Sequence, residues 1–157
     1  YDWLDAEPQR FHPGDLDYIH SVERIGRLSN VISINGGVQL DLMGQENAES
    51  AGTRQLSGVG GQMDFLEGAF RSKGGKGFIC INSSRVTKDG ERKSNIVAAI
   101  PSGSTVSAPR TMIDYVATEY GVVRLAGKSM RERAEAMASI AHPDFREELM
   151  KYAREHF

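Results

Sequence analysis

Ser57-Gly58-Val59-Gly60-Gly61-Gln62-Met63-Asp64-Phe65, residues 57–65, places three glycines directly ahead of an amphipathic run. Met63, Phe65, Leu66 and Ala69 fall on one face of a helix that the Gly74-Gly75 pair stops. Glycines opening onto a helix bare the backbone N–H groups and let a ligand approach with no Cβ in the way. Such donors suit a phosphate, a carboxylate or the oxyanion of a thioester under attack. The dinucleotide pattern G-x-G-x-x-G fails because Met63 stands where its last glycine belongs, and the phosphate loop G-x-x-x-x-G-K-[ST] is absent. The same run also makes a plain tight turn.

Downstream of this helix, Gly77–Ile81, Asn95–Ile100 and Ser104–Ser107 read as strands, separated by polar turns at Thr87–Lys93 and Ser102-Gly103. A further strand is expected near Tyr115–Ala117, with a loop at Thr118–Gly121. Ser129-Met130-Arg131-Glu132 matches a capping box ahead of the stripe Met130, Ala134, Met137, Ala138 and Ala141. His142-Pro143 breaks that helix, and Pro143 suits the first turn of another running to the end. Upstream, Val31–Ile34 and Val38–Leu42 are short strands around Gly36-Gly37, followed by a polar loop from Asn47 to Ser57. Leu16, Ile19, Val22, Ile25 and Leu28 predict one helix that starts after Asp15 and ends at Asn30. Residues 1–14 read as an extended connector and residues 15–157 as one domain. Strands alternating with helices point to an α/β or α+β layered fold.

The composition is that of an ordinary globular chain, 39% hydrophobic and 25% charged over 157 residues. A formal net charge of -2 argues against a nucleic-acid groove. No apolar run approaches the roughly 20 residues that span a membrane. Cys80 is the single cysteine, so an internal disulfide is impossible and a reducing cytoplasm is the expected compartment. Between Ile79 and Ile81 it reads as inert packing. No Cys/His cluster has metal-ligand spacing, so no metal is expected. Tyr1 stands where an initiator Met would, and the reading is that a preceding segment has been removed.

SGVGGQMDFLEGA, SKGGKGFICI, SNIVAAIPSGSTVSAPR, DYVATEYGVVRLAGKSMRERA and IAHPDFREEL, in this order, resemble the C-terminal domain of the acetyl-CoA hydrolase/transferase family. That family includes 4-hydroxybutyrate, butyrate, acetate and itaconate CoA-transferases. VISINGGVQLDLMGQ resembles the strand–turn–strand at the domain start, and the likeness runs from about Asp17 to Phe157. The resemblance implies an α/β fold with a layered open sheet, largely parallel, of the NagB/RpiA/CoA-transferase kind. It implies acyl-CoA and small carboxylic acids as substrates, no permanently bound cofactor, a homo-oligomer, and an N-terminal domain of the same enzyme to which residues 1–14 connect. The implied chemistry is a double displacement through a glutamyl-CoA thioester. The nucleophilic glutamate belongs to a motif upstream of the matching region, so no catalytic residue is expected in this chain.

By the same resemblance, Ser57, Gly60 and Gly61 lie at CoA-contacting positions. A family lysine after the next strand corresponds best to Lys88, with Lys76 and Lys93 as rivals and three solvated loop lysines as the plain alternative. His20 occupies a position where the family often carries an Asn that positions the substrate carboxylate or oxyanion, although the following proline is missing. An imidazole donates a hydrogen bond and titrates near neutrality; a surface or capping histidine is the alternative. Glu119, in Thr118-Glu119-Tyr120-Gly121, is expected to support the site rather than react. Two other readings stay open: an acyl-CoA hydrolase of the same family, and a non-catalytic CoA-binding partner subunit.

Overall fold

The computed structural model describes all residues from Tyr1 to Phe157. The N-terminal segment is not extended. Helix α1 covers Asp2–Ala6 and a 3-10 turn covers Pro8–Arg10, with Trp3 edge-on to Phe11 at 4.7 Å. Pro8 starts the turn because its fixed φ suits a first helical position.

The single helix expected after Asp15 is instead two, α2 (Leu16–Ile19) and α3 (Val22–Arg27). Asp15 caps the first by accepting from the Tyr18 N–H at 2.8 Å, and Ser21 restarts the second by accepting from the Arg24 N–H at 3.4 Å. Asn30 then turns the chain in the left-handed region, φ 60°. Strands β1 (Ile32–Gly36), β2 (Gln39–Asp41) and β3 (Glu46–Asn47) follow. The loop after Asn47 contains a small hairpin, β4 (Ser50–Ala51) with β5 (Arg54–Gln55). Helix α4 (Gln62–Arg71) leads into β6 (Lys76–Cys80).

The polar stretch expected to be a turn is a second hairpin, β7 (Ser84–Val86) with β8 (Arg92–Ser94). Only Ile96–Val97 of the next predicted strand forms ladder bonds, as β9. Residues 104–107 form none; Ser107 instead donates its N–H to the Glu46 carbonyl at 2.7 Å. Strand β10 (Tyr115–Thr118) turns into β11 (Gly121–Arg124). Helices α5 (Met130–Ser139) and α6 (Pro143–His156) close the chain, with the capping box at Ser129 and Glu132 formed in both directions.

The main sheet has the order β1-β6-β10-β11, with β1, β6 and β10 parallel and β11 antiparallel at the edge. This is the largely parallel α/β sheet expected. A smaller sheet, β3-β2-β9, carries Leu40 and Ile96 into the same core. Side chains alternate across the main sheet. Ile79 and Val116 point to the side covered by α4, α5 and α6, where Leu66, Met137 and Leu149 meet them in one cluster. The opposite face is bare. Ile34 (69% exposed) sits in register with Phe78, and Phe78 with Tyr115, whose rings stack at 4.8 Å.

Cys80 is on this bare face and is exposed, not packed as its apolar neighbours suggested. An apolar face of this kind marks an interaction surface. The isolated chain is expected to self-associate in sedimentation experiments, with Cys80 alkylated by iodoacetamide when monomeric and protected when associated. A clean monomer at high concentration would count against it. No helix is long and apolar enough to cross a membrane.

Candidate active site at the carboxyl ends of the parallel strands

In an open parallel sheet, ligands bind outside the carboxyl ends of the strands, where the following helices present their N-termini. Here Gly37, Cys80, Ile81, Asn82, Ala117 and Thr118 line a crevice at the ends of β1, β6 and β10. Helix α4 is the crossover between β1 and β6, so it runs back along the sheet and begins on this side. Leu66 packs against Gly77 of β6, which fixes the helix on the sheet, and Ile25 of α3 packs against Gly68.

No side chain caps the head of α4; its N-cap is Gly61. The first-turn N–H groups therefore lack a side-chain acceptor and are available to an incoming one. Gly60 takes φ +61°, and a Cβ there would meet open space. Its glycine is required by backbone conformation, and the space above it is free for a ligand. Gly61 is different: a Cβ at that position would overlap the His20 imidazole. The two residues, far apart in sequence, form one surface.

His20 closes α2 and lies edge-on to Phe65, ring centroids 4.9 Å apart. Its Nδ1 is buried without a hydrogen-bond partner, and the nearest carboxylate oxygen, Asp64 Oδ2, is 3.8 Å away. Thus His20, Gly60 and Gly61 come together, with a ring nitrogen still to be satisfied. Ser57 is exposed on the approach to this turn, its carbonyl accepting from Gln55 Nε2 at 2.6 Å.

Lys88 is exposed on the tip of the β7–β8 hairpin, which follows directly from the carboxyl end of β6. Its rivals are engaged locally: Lys93 pairs with Glu91 at 3.1 Å and Lys76 donates to the Gly74 carbonyl at 3.4 Å. Glu119, in the β10–β11 turn, accepts from the Ser83 N–H at 2.9 Å and from the Ser83 hydroxyl at 2.6 Å. Desolvation raises the Glu119 carboxyl, but the Ser83 hydrogen bonds and the nearby His142 outweigh it and hold the group below its ordinary value. Both oxygens are therefore occupied in clipping the end of β6 to the β10–β11 turn.

One residue of this region escaped the sequence reading. Glu46 is fully buried, accepts from Gln62 Nε2 at the first helical position of α4, and leaves Oε1 without a partner. Burial raises its carboxyl to about 8, against the Gln62 hydrogen bond, which lowers it. Nothing in the polar stretch around it marks a buried carboxyl, because the burial comes from the sheet pairing and from α4.

Residues 1–153 match the family described as acetyl-CoA hydrolase/transferase C-terminal domain. A 4-hydroxybutyrate coenzyme A transferase of Clostridium kluyveri is 45% identical over 157 residues, covering 100% of this chain and 36% of that protein. A butyryl-CoA:acetate CoA-transferase of Anaerostipes caccae is 43% identical over 153 residues, covering 98% of this chain and 34% of the relative. The crystal structure of a 4-hydroxybutyrate CoA-transferase from Porphyromonas gingivalis superposes with a TM-score of 0.70 at 41% identity, covering 90% of this chain and 30% of that one. The chain thus spans about a third of the length of the curated relatives it matches.

Proposed function

The chain belongs to the acetyl-CoA hydrolase/transferase family, whose C-terminal domain it matches, and from that premise we propose that the full protein transfers coenzyme A between small carboxylic acids. In this reading the present domain supplies the wall that receives the acyl-CoA. The observation that carries it is the uncapped head of α4, where Gly60 opens onto free space and Gly61 abuts His20. The thioester carbonyl lies against Gly60 and Gly61, and the first-turn N–H groups stabilise the oxyanion formed on attack. His20 donates to the oxyanion or to the acid's carboxylate. Ser57 contacts the CoA on its way in, and Lys88 meets its phosphates. Glu119 keeps the strand ends in place.

The nucleophile is a glutamate outside this chain. It attacks the acyl-CoA and expels the thiolate, giving an acyl-glutamyl anhydride. The CoA thiolate then displaces the carboxylic acid from that anhydride and leaves a glutamyl-CoA thioester, and a second acid collects CoA by the reverse steps. The bare face of the main sheet packs against the rest of the protein, an assembly we place in the cytoplasm as a homo-oligomer. Acyl-CoA hydrolysis is the second reading, favoured by the family's own description, which names hydrolase and transferase together.

Borohydride reduces a glutamyl-CoA thioester, so the full-length protein incubated with acyl-CoA is expected to be inactivated by it. Peptide mapping should find the modified glutamate upstream of Tyr1, and the isolated chain should show no mass change. Labelling of Glu119, or of any acid in these 157 residues, would overturn the assignment. Adding acetate as acceptor separates the two readings: a transferase forms acetyl-CoA, a hydrolase only free CoA.

A further inference from the structure

Glu46 is the one buried carboxyl of the crevice region that the proposed reaction leaves without a task. It comes from β3, and its backbone is pinned on both sides: it pairs with Leu40 of β2, and its carbonyl accepts from the Ser107 N–H. Its side chain reaches two different parts of the site. One oxygen accepts from the Gln62 amide, directly after Gly61. The other lies 2.7 Å from where Gly37 would carry a Cβ, at the end of β1 where the crevice begins. Gly37 is thus bare because a carboxyl fills its side-chain space, with Ile81 as the neighbour on the same side at 3.0 Å.

We propose that Glu46 is a positioning residue of the acyl-CoA site, its carboxyl accepting from Gln62 at the head of α4 while packing over Gly37 at the carboxyl end of β1. This rests on the reading of the α4 head as the acyl-CoA wall. As a neutral acid the group fixes Gln62 while adding no charge beside a turn that receives a polyanionic ligand. As a carboxylate it sets an unpaired negative charge next to that turn and opposes both the phosphates and the developing oxyanion.

No charged side chain compensates. On β2 the Asp41 carboxylate is turned to Gln45, at 2.8 and 2.7 Å, and on α4 the Asp64 carboxylate faces His20. Burial and the Gln62 amide are the two influences on Glu46, and the proton is held to about pH 8. Because the folded carboxyl is raised, its contribution to stability is fully present below the ordinary carboxyl value near 4.5 and is lost as the pH rises through about 8.

The test uses the full-length protein as wild type, Glu46→Gln, Glu46→Leu and Gln62→Ala. In the wild type, KM for acyl-CoA is expected to rise at least about threefold as the pH crosses 8, with KM for the carboxylic acid flat. Glu46→Gln should remove that rise and also flatten the fall of the melting temperature between pH 5 and 8. Glu46→Leu and Gln62→Ala should each raise KM for acyl-CoA at pH 7, more than they lower kcat.

Should Glu46→Leu fail to fold, Gln62→Ala and the Glu46→Gln profile still decide. Variants that shift only the melting temperature, with the wild-type KM profile retained, would make Glu46 a purely structural acid and overturn the proposal. A wild type in which borohydride reduces no glutamyl-CoA thioester would remove the acyl-CoA site itself. A trap-positive wild type with an unchanged Glu46→Gln profile sinks the Glu46 role alone.

Discussion

Gly61→Val in the full-length protein is expected to lower turnover at least about a hundredfold, the scale of losing an oxyanion donor. The structure shows how the loss arises. A Cβ at Gly61 enters the His20 ring, so the variant must either expel the imidazole or pull the head of α4 off the sheet. His20 is the softer partner, because it caps a helix of one turn and is not part of the buried core.

A paired experiment separates sterics from chemistry. Gly61→Ala should lose activity with the native His20, and Gly61→Ala/His20→Ala restores the space. Recovery in the double variant means that the imidazole was only in the way. A persistent loss means that the ring nitrogen and the bare backbone both serve the acyl-CoA. If Gly61→Val folds and turns over like wild type, the acyl-CoA site is not at this turn.

Arg133→Met carries the largest expected cost in stability. Arg133 is 7% exposed, and its guanidinium donates to three backbone carbonyls: Met43 at 2.7 Å, Leu125 at 3.0 Å and Arg110 at 2.7 Å. It joins the turn after β2, the loop before β10 and the end of β11 to α5. Gly44, with φ +85°, is needed in that turn partly because a Cβ would lie 2.7 Å from Arg133 Nη2. Methionine keeps the volume of the stem but strands the three carbonyls, a loss of roughly 3–5 kcal/mol. For a domain of this size that lowers the melting temperature by on the order of 10 °C. Arg133→Lys recovers little, since one ammonium does not reproduce the planar fork. A calorimetric scan of Arg133→Met within 2 °C of wild type would show that water satisfies the freed carbonyls.

What the sequence revealed was local. The capping box at Ser129 and Glu132, the proline start of α6 and the glycine stop after α4 are written within a few residues, and each stands where expected. The α2–α3 break was also written there, in Ser21 ahead of Val22-Glu23, but a spacing of three between apolar residues masked it. The β7–β8 hairpin lacks apolar alternation because both strands are largely exposed, so only its turn was visible. In β2 the polar Gln39 and Asp41 are buried along with Leu40, since the sheet is enclosed on both sides and Asp41 is satisfied by Gln45. The candidate site divides the same way. The glycines of the α4 head were legible as backbone chemistry, whereas the meeting of His20 with Gly61, and of Glu46 with Gln62, depends on pairings that periodicity does not encode.

The order of strands also shapes how the chain reaches this state. Ile32 pairs with Lys76 and Phe78 with Tyr115, each across a long stretch of intervening chain, whereas Tyr115 finds Arg124 through a tight turn. Loop-closure entropy must be overcome before distant strands gain anything from pairing, so local hairpins and helix pairs form first. The β10–β11 hairpin and the α5–α6 pair are accordingly expected to form before β1 and β6 pair with each other and with β10. A ribosome delivers this chain from the other end. Within this domain β1 then emerges ahead of β6 and β10 and keeps an unpaired backbone edge until they arrive, the kind of edge that chaperones shield.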